Sequence, residues 1–176
     1  MRRTRRAMTP EPPFLLRRGR PSDALPILEA QRSAIRGTAV SAYGPTVINE
    51  WAPETIAPKR VEDFMRWIEL GEELIVVAVD SNEHIIGFGS IVPRNSELRA
   101  VYVAAEHGRQ GVGSAILARL EAMAKELGVT ELRMDSSINA VPFYEANGFI
   151  SLERGEHPMP SGNRMACVRM RKTLGS

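Results

Sequence analysis

The feature of this sequence that most constrains its fold is a glycine-rich segment, EHGRQGVGSAIL at residues 106–117. The β-rich segment ELRAVYVA (97–104) precedes it, and apolar residues at helical spacing run from Ile116 to Leu127. Backbone N–H groups at a helix N-terminus lack partners, and the helix dipole adds partial positive charge there. The segment therefore predicts a strand–turn–helix unit that binds phosphate. A purely structural glycine turn is the alternative.

The residues around these glycines exclude two common nucleotide-binding motifs. A dinucleotide fingerprint starting at Gly111 requires a third glycine at the position of Ile116. A P-loop starting at Gly108 requires lysine after Gly113, where the chain has Ser114. Any phosphate bound here therefore belongs to another class of ligand.

The remaining patterns predict one α+β domain over residues 14–172, with a mixed, mostly antiparallel sheet flanked by helices. The predicted elements in chain order are a strand at 14–19, a helix at 21–35, an irregular segment at 37–59, a helix at 59–71, strands at 73–79, 84–92 and 97–104, the helix ending at Leu127, a strand at 131–137, a short helix at 139–147 and a hairpin of 149–156 and 164–171.

Both termini are expected to lie outside this domain. Residues 1–13 are predicted to be a disordered, arginine-rich tail, and 173–176 a short second tail. Met8 is a second candidate for the start of translation, and Gly175-Ser176 is a candidate cloning remnant.

Positive charge is concentrated at the N-terminus. The formal net charge of the chain is +2, and its pI is near 9.0. Arg2, Arg3, Arg5 and Arg6 contribute four positive charges, which leaves +2 minus 4, or −2, for the rest of the chain. Because the body is slightly acidic, nucleic acid is not an expected partner.

No membrane span, secretory signal, disulfide or metal site is predicted. No apolar run approaches the ~20 residues that cross a bilayer, and no apolar region follows the N-terminal arginines. The single cysteine, Cys167, is interpreted as a small packing residue in a strand, which suits a reducing cytoplasmic location. The three histidines, His84, His107 and His157, are scattered and lack the spacing of metal ligands.

Two segments carry a resemblance to a known family. LRAVYVAAEHGRQGVGSAIL followed by NAVPFYEANGF resembles the GNAT family, the GCN5-related N-acetyltransferases. The resemblance follows the element order over about 14–172 and is sharpest over 97–149. It implies the GNAT fold, acetyl-CoA as co-substrate without a metal, and an N-acetyltransferase activity.

The family binds the pyrophosphate of acetyl-CoA through a Q/R-x-x-G-x-G/A signature. Gly111 and Gly113 match it, Gly108 stands at the usual Gln/Arg position, and Arg109 is a candidate for the missing charge. The resemblance also implies that the Val101 N–H polarises the thioester carbonyl and that Val103 holds the pantetheine arm. The complete predicted set of cofactor-binding residues is Val101, Tyr102, Val103, Arg109, Gln110, Gly111, Val112, Gly113, Ser114 and Asn139.

Catalytic roles follow from the same resemblance. FYEANGF is similar to a family segment whose tyrosine protonates the departing thiolate, which makes Tyr144 the candidate acid. Glu97 matches the glutamate base of histone-acetylating relatives, although an exposed strand-edge glutamate is an equal alternative. His107 and His157 are outside candidates for the base.

The acceptor is expected to be an amine of a small molecule or a peptide. Its candidate wall residues are Tyr43, Glu50, Trp51, Trp67 and His157. Two alternatives stay open: another acyl-CoA as donor, and a catalytically silent CoA-binding module with a basic arm for nucleic acid. The chain is expected to be a homodimer or a monomer.

Overall fold

Seven strands form a single sheet with helices on both faces in the computed structural model, which describes residues 13–175. The strands are β1 (Phe14–Arg18), β2 (Leu74–Asp80), β3 (Ile85–Val92), β4 (Glu97–Val103), β5 (Glu131–Ser137), β6 (Ile150–Pro158) and β7 (Arg164–Thr173). The helices are α1 (Ala24–Thr38), α2 (Pro45–Trp51), α3 (Pro58–Leu70), α4 (Val112–Glu126) and α5 (Val141–Ala146).

The sheet has the order β1-β2-β3-β4-β5-β7-β6. Neighbouring strands are antiparallel except β4 and β5, which are parallel because α4 connects them. The predicted mixed, mostly antiparallel sheet is therefore confirmed.

The main core lies between α4 and the sheet. Ile116, Leu117 and Leu120 of α4 are fully buried and pack against apolar residues of β2 to β5, together with Tyr144 of α5. A second core on the opposite face joins Ile27 of α1 to β2 and β3. From Ala100 to Val103 the side chains of β4 alternate between these two cores, as the twofold period of a strand requires.

The segment 37–59, predicted as irregular, contains α2. Pro45 occupies the first turn of this helix, where its missing N–H costs no hydrogen bond. Ile48 and Ala52 are buried against the C-terminal part of α1. The prediction was wrong here because α2 is too short to show periodicity and is stabilised by this tertiary packing.

The folded domain extends past its predicted end at residue 172. β7 continues to Thr173, and Leu174 is buried with its N–H donating to the Thr130 carbonyl at 2.8 Å. Most of the predicted N-terminal tail, residues 1–12, lies outside the described residues, as does Ser176.

An ion pair fixes β1 to the start of α1 and yields a stability prediction. The Arg17 guanidinium donates to both Asp23 carboxylate oxygens at 2.7 and 2.9 Å, and the Arg20 N–H adds a bond of 2.8 Å. The hydrogen bond from Arg17 holds the pKa of Asp23 below its usual value. We expect Asp23→Asn to lower the free energy of unfolding by about 1–3 kcal/mol at pH 7.

The same ion pair makes the free energy of unfolding depend on pH. Because the folded-state pKa of Asp23 is depressed, its contribution is present above the unfolded-state pKa of about 3.9 and is lost as the pH falls through the lower folded-state value. Urea unfolding at decreasing pH should show wild type and Asp23→Asn converging in acid. A difference that stays constant would contradict the assignment.

Candidate active site

β4 and β5 pair with each other at one end only. Glu97 pairs with Arg133, whose N–H donates to the Ser96 carbonyl at 2.8 Å. Beyond this point β4 follows β3 as far as Val103, whereas β5 follows β7. Within the described chain, the edge of β4 that faces β5 therefore has backbone groups without a strand partner, and such groups bind ligand or water.

A cavity of about 890 Å³ lies at this opening. Its lining includes nine of the ten residues predicted to bind acetyl-CoA, and the candidate acid, Tyr144: the nine are Val101, Tyr102, Val103, Arg109, Gly111, Val112, Gly113, Ser114 and Asn139. Gln110, an exposed residue of the turn, does not belong to the lining. Pockets of this size hold cofactors and small molecules.

The glycine-rich turn leaves the start of α4 open. Gly111 precedes the helix with φ 80°, and a Cβ atom built on it would meet nothing within 4 Å. Arg109 also has a positive φ, 60°. Such a turn directs backbone N–H groups toward one side, where α4 contributes its unpaired N–H groups and the positive end of its dipole. The predicted strand–turn–helix unit thus has the geometry of an anion site.

Gly113 has a different role from Gly111. A Cβ atom at Gly113 would lie 3.1 Å from the Phe143 ring and 3.5 Å from the Val103 side chain. This glycine therefore allows α4 to approach α5 and β4 closely. Free space for a ligand lies beside Gly111.

Tyr144 is almost completely buried but lines the cavity. It packs edge-to-face on Phe143 and Phe149, with ring centroids 4.9 and 5.6 Å away. Burial raises the pKa of Tyr144 well above its usual value, and the nearby Val101 N–H acts in the opposite direction. The hydroxyl is therefore protonated at any working pH and lies near the amide predicted to polarise a carbonyl.

Asn139 lines the cavity and carries a buried acceptor without a partner in the described chain. Its Nδ2 lies 3.4 Å from the Thr38 hydroxyl, whereas its buried Oδ1 accepts no hydrogen bond from the described residues. A buried polar atom without a partner is costly unless a ligand satisfies it. The unpaired edge of β4 and this acceptor fit an amide-containing arm such as pantetheine.

A histidine–aspartate pair lies on the opposite wall. His157 Nδ1 is 3.2 Å from Asp135 Oδ2, and both residues line the cavity. Sequence reasoning missed Asp135 and kept His157 only as an outside candidate. The signal was present in β5, where Asp135 alternates with the buried Met134 and Ser136 and therefore lies on the open face.

Glu97 does not contribute to this cavity. It lies where β4 and β5 meet, at the closed end of the opening, and contacts Arg99 Nε at 3.5 Å. The distance along the sequence suggested its role, but the divergence of the two strands begins beyond it.

Among the other residues predicted to contact the acceptor, some line the cavity and others have a structural role. Trp51 and Glu50 line the cavity, whereas Tyr43 and Trp67 do not. The Tyr43 hydroxyl donates to the Ala166 carbonyl at 2.6 Å and accepts from the Ile138 N–H at 2.8 Å. Tyr43 therefore ties the helical layer to β7.

Glu50 holds the β6–β7 loop over the cavity. Its carboxylate accepts the Ser161 N–H at 2.9 Å, the Ser161 hydroxyl at 2.7 Å and Asn163 Nδ2 at 3.0 Å. The hydrogen bonds from Ser161 lower the pKa of Glu50. Since these bonds occupy the carboxylate, we assign Glu50 to positioning the loop.

Comparison with known proteins assigns the family. The model of the acetyltransferase (GNAT) domain matches residues 39–174. The chain belongs to the GNAT family of N-acetyltransferases. This GNAT chain is 33% identical over 122 residues to the uncharacterized N-acetyltransferase YafP of Escherichia coli (strain K12), which covers 69% of the chain and 71% of YafP. The family predicted from the glycine turn and the FYEANGF segment is thus confirmed.

Solved structures of other GNAT proteins have the same fold. A GCN5-related N-acetyltransferase from Rhodopseudomonas palustris has a TM-score of 0.78 at 23% identity, covering 91% of this chain and 95% of that one. The PaiA N-acetyltransferase from Thermoplasma acidophilum, solved in complex with coenzyme A, has a TM-score of 0.71 at 20% identity, covering 91% and 98%. The predicted GNAT-like fold is confirmed.

The described part of the GNAT structure lacks two other kinds of feature. Among residues 13–175, no helix is long and apolar enough to cross a membrane. Within the same range, no group of three or more His, Cys, Asp or Glu residues is arranged to hold a metal ion.

Proposed function

We propose that this enzyme transfers the acetyl group of acetyl-CoA to a primary amine by direct attack of the amine on the thioester. One observation carries the proposal: the opening between β4 and β5 places the Val101 N–H near the Tyr144 hydroxyl, in a cavity that continues to the N-terminus of α4. An N–H donor and a protonated acid at one point are what thioester cleavage requires.

The donor is held by backbone groups and few side chains. The pyrophosphate binds the N–H groups that follow Gly111, with Arg109 adding a charge-assisted contact. The pantetheine arm lies along the free edge of β4, at the backbone of Val101 and Val103. Asn139 Oδ1 accepts an N–H from this arm, which satisfies its buried lone pair.

The acetyl transfer forms a carbon–nitrogen bond and breaks the carbon–sulfur bond of the thioester. The nitrogen lone pair of the amine attacks the carbonyl carbon, and the Val101 N–H stabilises the charge that develops on the carbonyl oxygen. The carbon–sulfur bond breaks, and the sulfur takes the proton of the Tyr144 hydroxyl. Burial keeps the hydroxyl protonated before the reaction begins.

His157 takes the place of Glu97 as the proposed base. It lines the cavity, and Asp135 at 3.2 Å selects the tautomer with hydrogen on Nδ1. Nε2 is then free to accept a proton from the attacking amine. Histidine is the side chain most often used for this task.

Ligand-induced stabilisation tests the donor assignment. Acetyl-CoA should raise the melting temperature, because a ligand at 100 times its Kd stabilises the native state by about 2.7 kcal/mol. Gly111→Ala should lose most of this shift, since its left-handed backbone is strained by a side chain that also enters the phosphate space. Differential scanning fluorimetry with millimolar acetyl-CoA measures both effects.

The opposite end of α4 provides a matched control. Gly128 has φ 78° and nothing within 4 Å of an added Cβ atom, so Gly128→Ala carries the same kind of strain away from the cavity. It should lower stability but keep the acetyl-CoA shift. No shift in wild type, or an equal loss in both variants, would contradict phosphate binding at Gly111.

A further inference from the structure

We propose that the acceptor is an α-amino acid, whose carboxylate binds Arg60 and whose apolar or aromatic side chain enters a second cavity between α1, α3 and the β3–β4 strands. This inference rests on the proposed N-acetyltransferase function and names its substrate class.

The second cavity, of about 430 Å³, adjoins the first. Arg60, Arg99, Ala100 and Tyr102 line both. Ala100 and Tyr102 are the neighbours of Val101 in β4, so the two cavities meet one residue from the amide that polarises the thioester. An amine at Val101 can therefore carry its other substituents into the second cavity.

Arg60 is a half-buried cation whose guanidinium has no carboxylate partner among the described residues. Among the described residues, its guanidinium makes one hydrogen bond, to the neutral side chain of Gln31 at 3.3 Å. Among residues 13–175, no carboxylate lies within 4.0 Å of its guanidinium. Guanidinium binds carboxylate with two parallel hydrogen bonds, which makes Arg60 suited to an acceptor that carries one.

The other charged groups of the second cavity already have partners. Arg99 lies 3.5 Å from Glu73 and from Glu97, with its guanidinium over the Trp67 ring at 5.6 Å. Glu73 also accepts the Trp67 N–H at 2.5 Å.

Asp63, the remaining carboxylate, is bound by Lys59 Nζ at 2.9 and 3.0 Å. Among the described residues, each carboxylate in the lining of the second cavity already contacts a cation or a hydrogen-bond donor, which disfavours a polyamine as acceptor. The unpaired charge of Arg60 selects an anionic group instead.

The interior of the second cavity suits a side chain of moderate size. Phe64, Trp67, Phe88 and Leu28 supply apolar walls. Ser90, also in the lining, is 1% exposed, and its hydroxyl lacks a hydrogen-bond partner in the described chain. A polar atom on the ligand can supply the hydrogen bond that this hydroxyl lacks, so a phenol or a thioether can bind as well as a plain ring.

Substrate pairs that differ only in the carboxylate test the inference. Thiol release from acetyl-CoA is measured with L-phenylalanine against phenethylamine, L-tyrosine against tyramine, and L-methionine against 3-(methylthio)propylamine. Wild type should favour the amino acid of at least one pair by at least ~10-fold in kcat/KM, since a charged hydrogen-bonding group left unpaired is strongly discriminated. In Arg60→Met the ratio within that pair should approach one, through a higher KM for the amino acid.

A control and a binding readout separate the outcomes. Arg66→Met removes an exposed arginine of the same helix outside both cavities and should keep the wild-type ratio. L-phenylalanine, but not phenethylamine, should add to the melting temperature of the wild-type CoA complex and not of Arg60→Met. Three results would overturn the inference without contradicting the acetyltransferase function. The first is equal rates within every pair, and the second is acetylation of another amine but of none of the amino acids. The third is a preference for the amino acid that persists in Arg60→Met. Absence of CoA binding would instead remove the proposed function.

Discussion

Replacing Tyr144 by phenylalanine is expected to lower kcat by about 10²–10⁴-fold, the usual contribution of a positioned general acid. The change removes only the hydroxyl, so the ring keeps its packing on Phe143 and Phe149. Acetyl-CoA should therefore still raise the melting temperature by nearly the wild-type amount. Steady-state kinetics by thiol release, together with fluorimetry, measure the two effects separately.

Tyr43→Phe is the matched control for this loss. Its hydroxyl makes two hydrogen bonds that join the helical layer to β7 and the segment before α5, and it does not line the cavity. We expect a loss of about 1–3 kcal/mol in unfolding free energy and a nearly unchanged kcat. A Tyr144→Phe enzyme with a wild-type rate would remove Tyr144 from the mechanism and leave water as the acid.

Replacing His157 by alanine is expected to lower kcat/KM by a similar factor, about 10²–10⁴-fold, because the attacking amine loses its base. The side chain is 57% exposed, so free imidazole can reach the vacated space. Added imidazole should restore part of the rate of the variant. A purely structural histidine would not show this rescue.

A second histidine–aspartate pair offers the control. His84 lies 3.6 Å from Asp80 at the β2–β3 turn, outside both cavities, so His84→Ala should leave the rate unchanged. Asp135→Asn should reduce the rate less than His157→Ala, and the double variant should be no slower than His157→Ala alone, since the carboxylate acts through the imidazole. Unchanged activity in His157→Ala would exclude His157 as the base and leave Glu97 or water in that role.

The sequence by itself determined the parts of the protein that local rules govern. The β-rich segment 97–104, the glycines that follow it and the apolar stripe from Ile116 to Leu127 together predict a strand–turn–helix unit of the kind that binds phosphate. The alternating strands and the FYEANGF segment were equally predictable, because strand period, helix period and turn chemistry depend on residues that are close together in the sequence. Nine of ten predicted cofactor residues and Tyr144 consequently line one cavity.

Only the tertiary structure decided which residues face that cavity from distant parts of the chain. Glu97 and Arg99 lie in the same strand as Val101, yet the point where β4 leaves β5 excludes Glu97 and keeps Arg99. Asp135 and His157 are 22 residues apart and meet because β7 pairs with both of their strands, which brings β5 and β6 into one sheet. Packing between elements sets these contacts, and no short window of sequence contains the strand order, the register or the angle between two diverging strands.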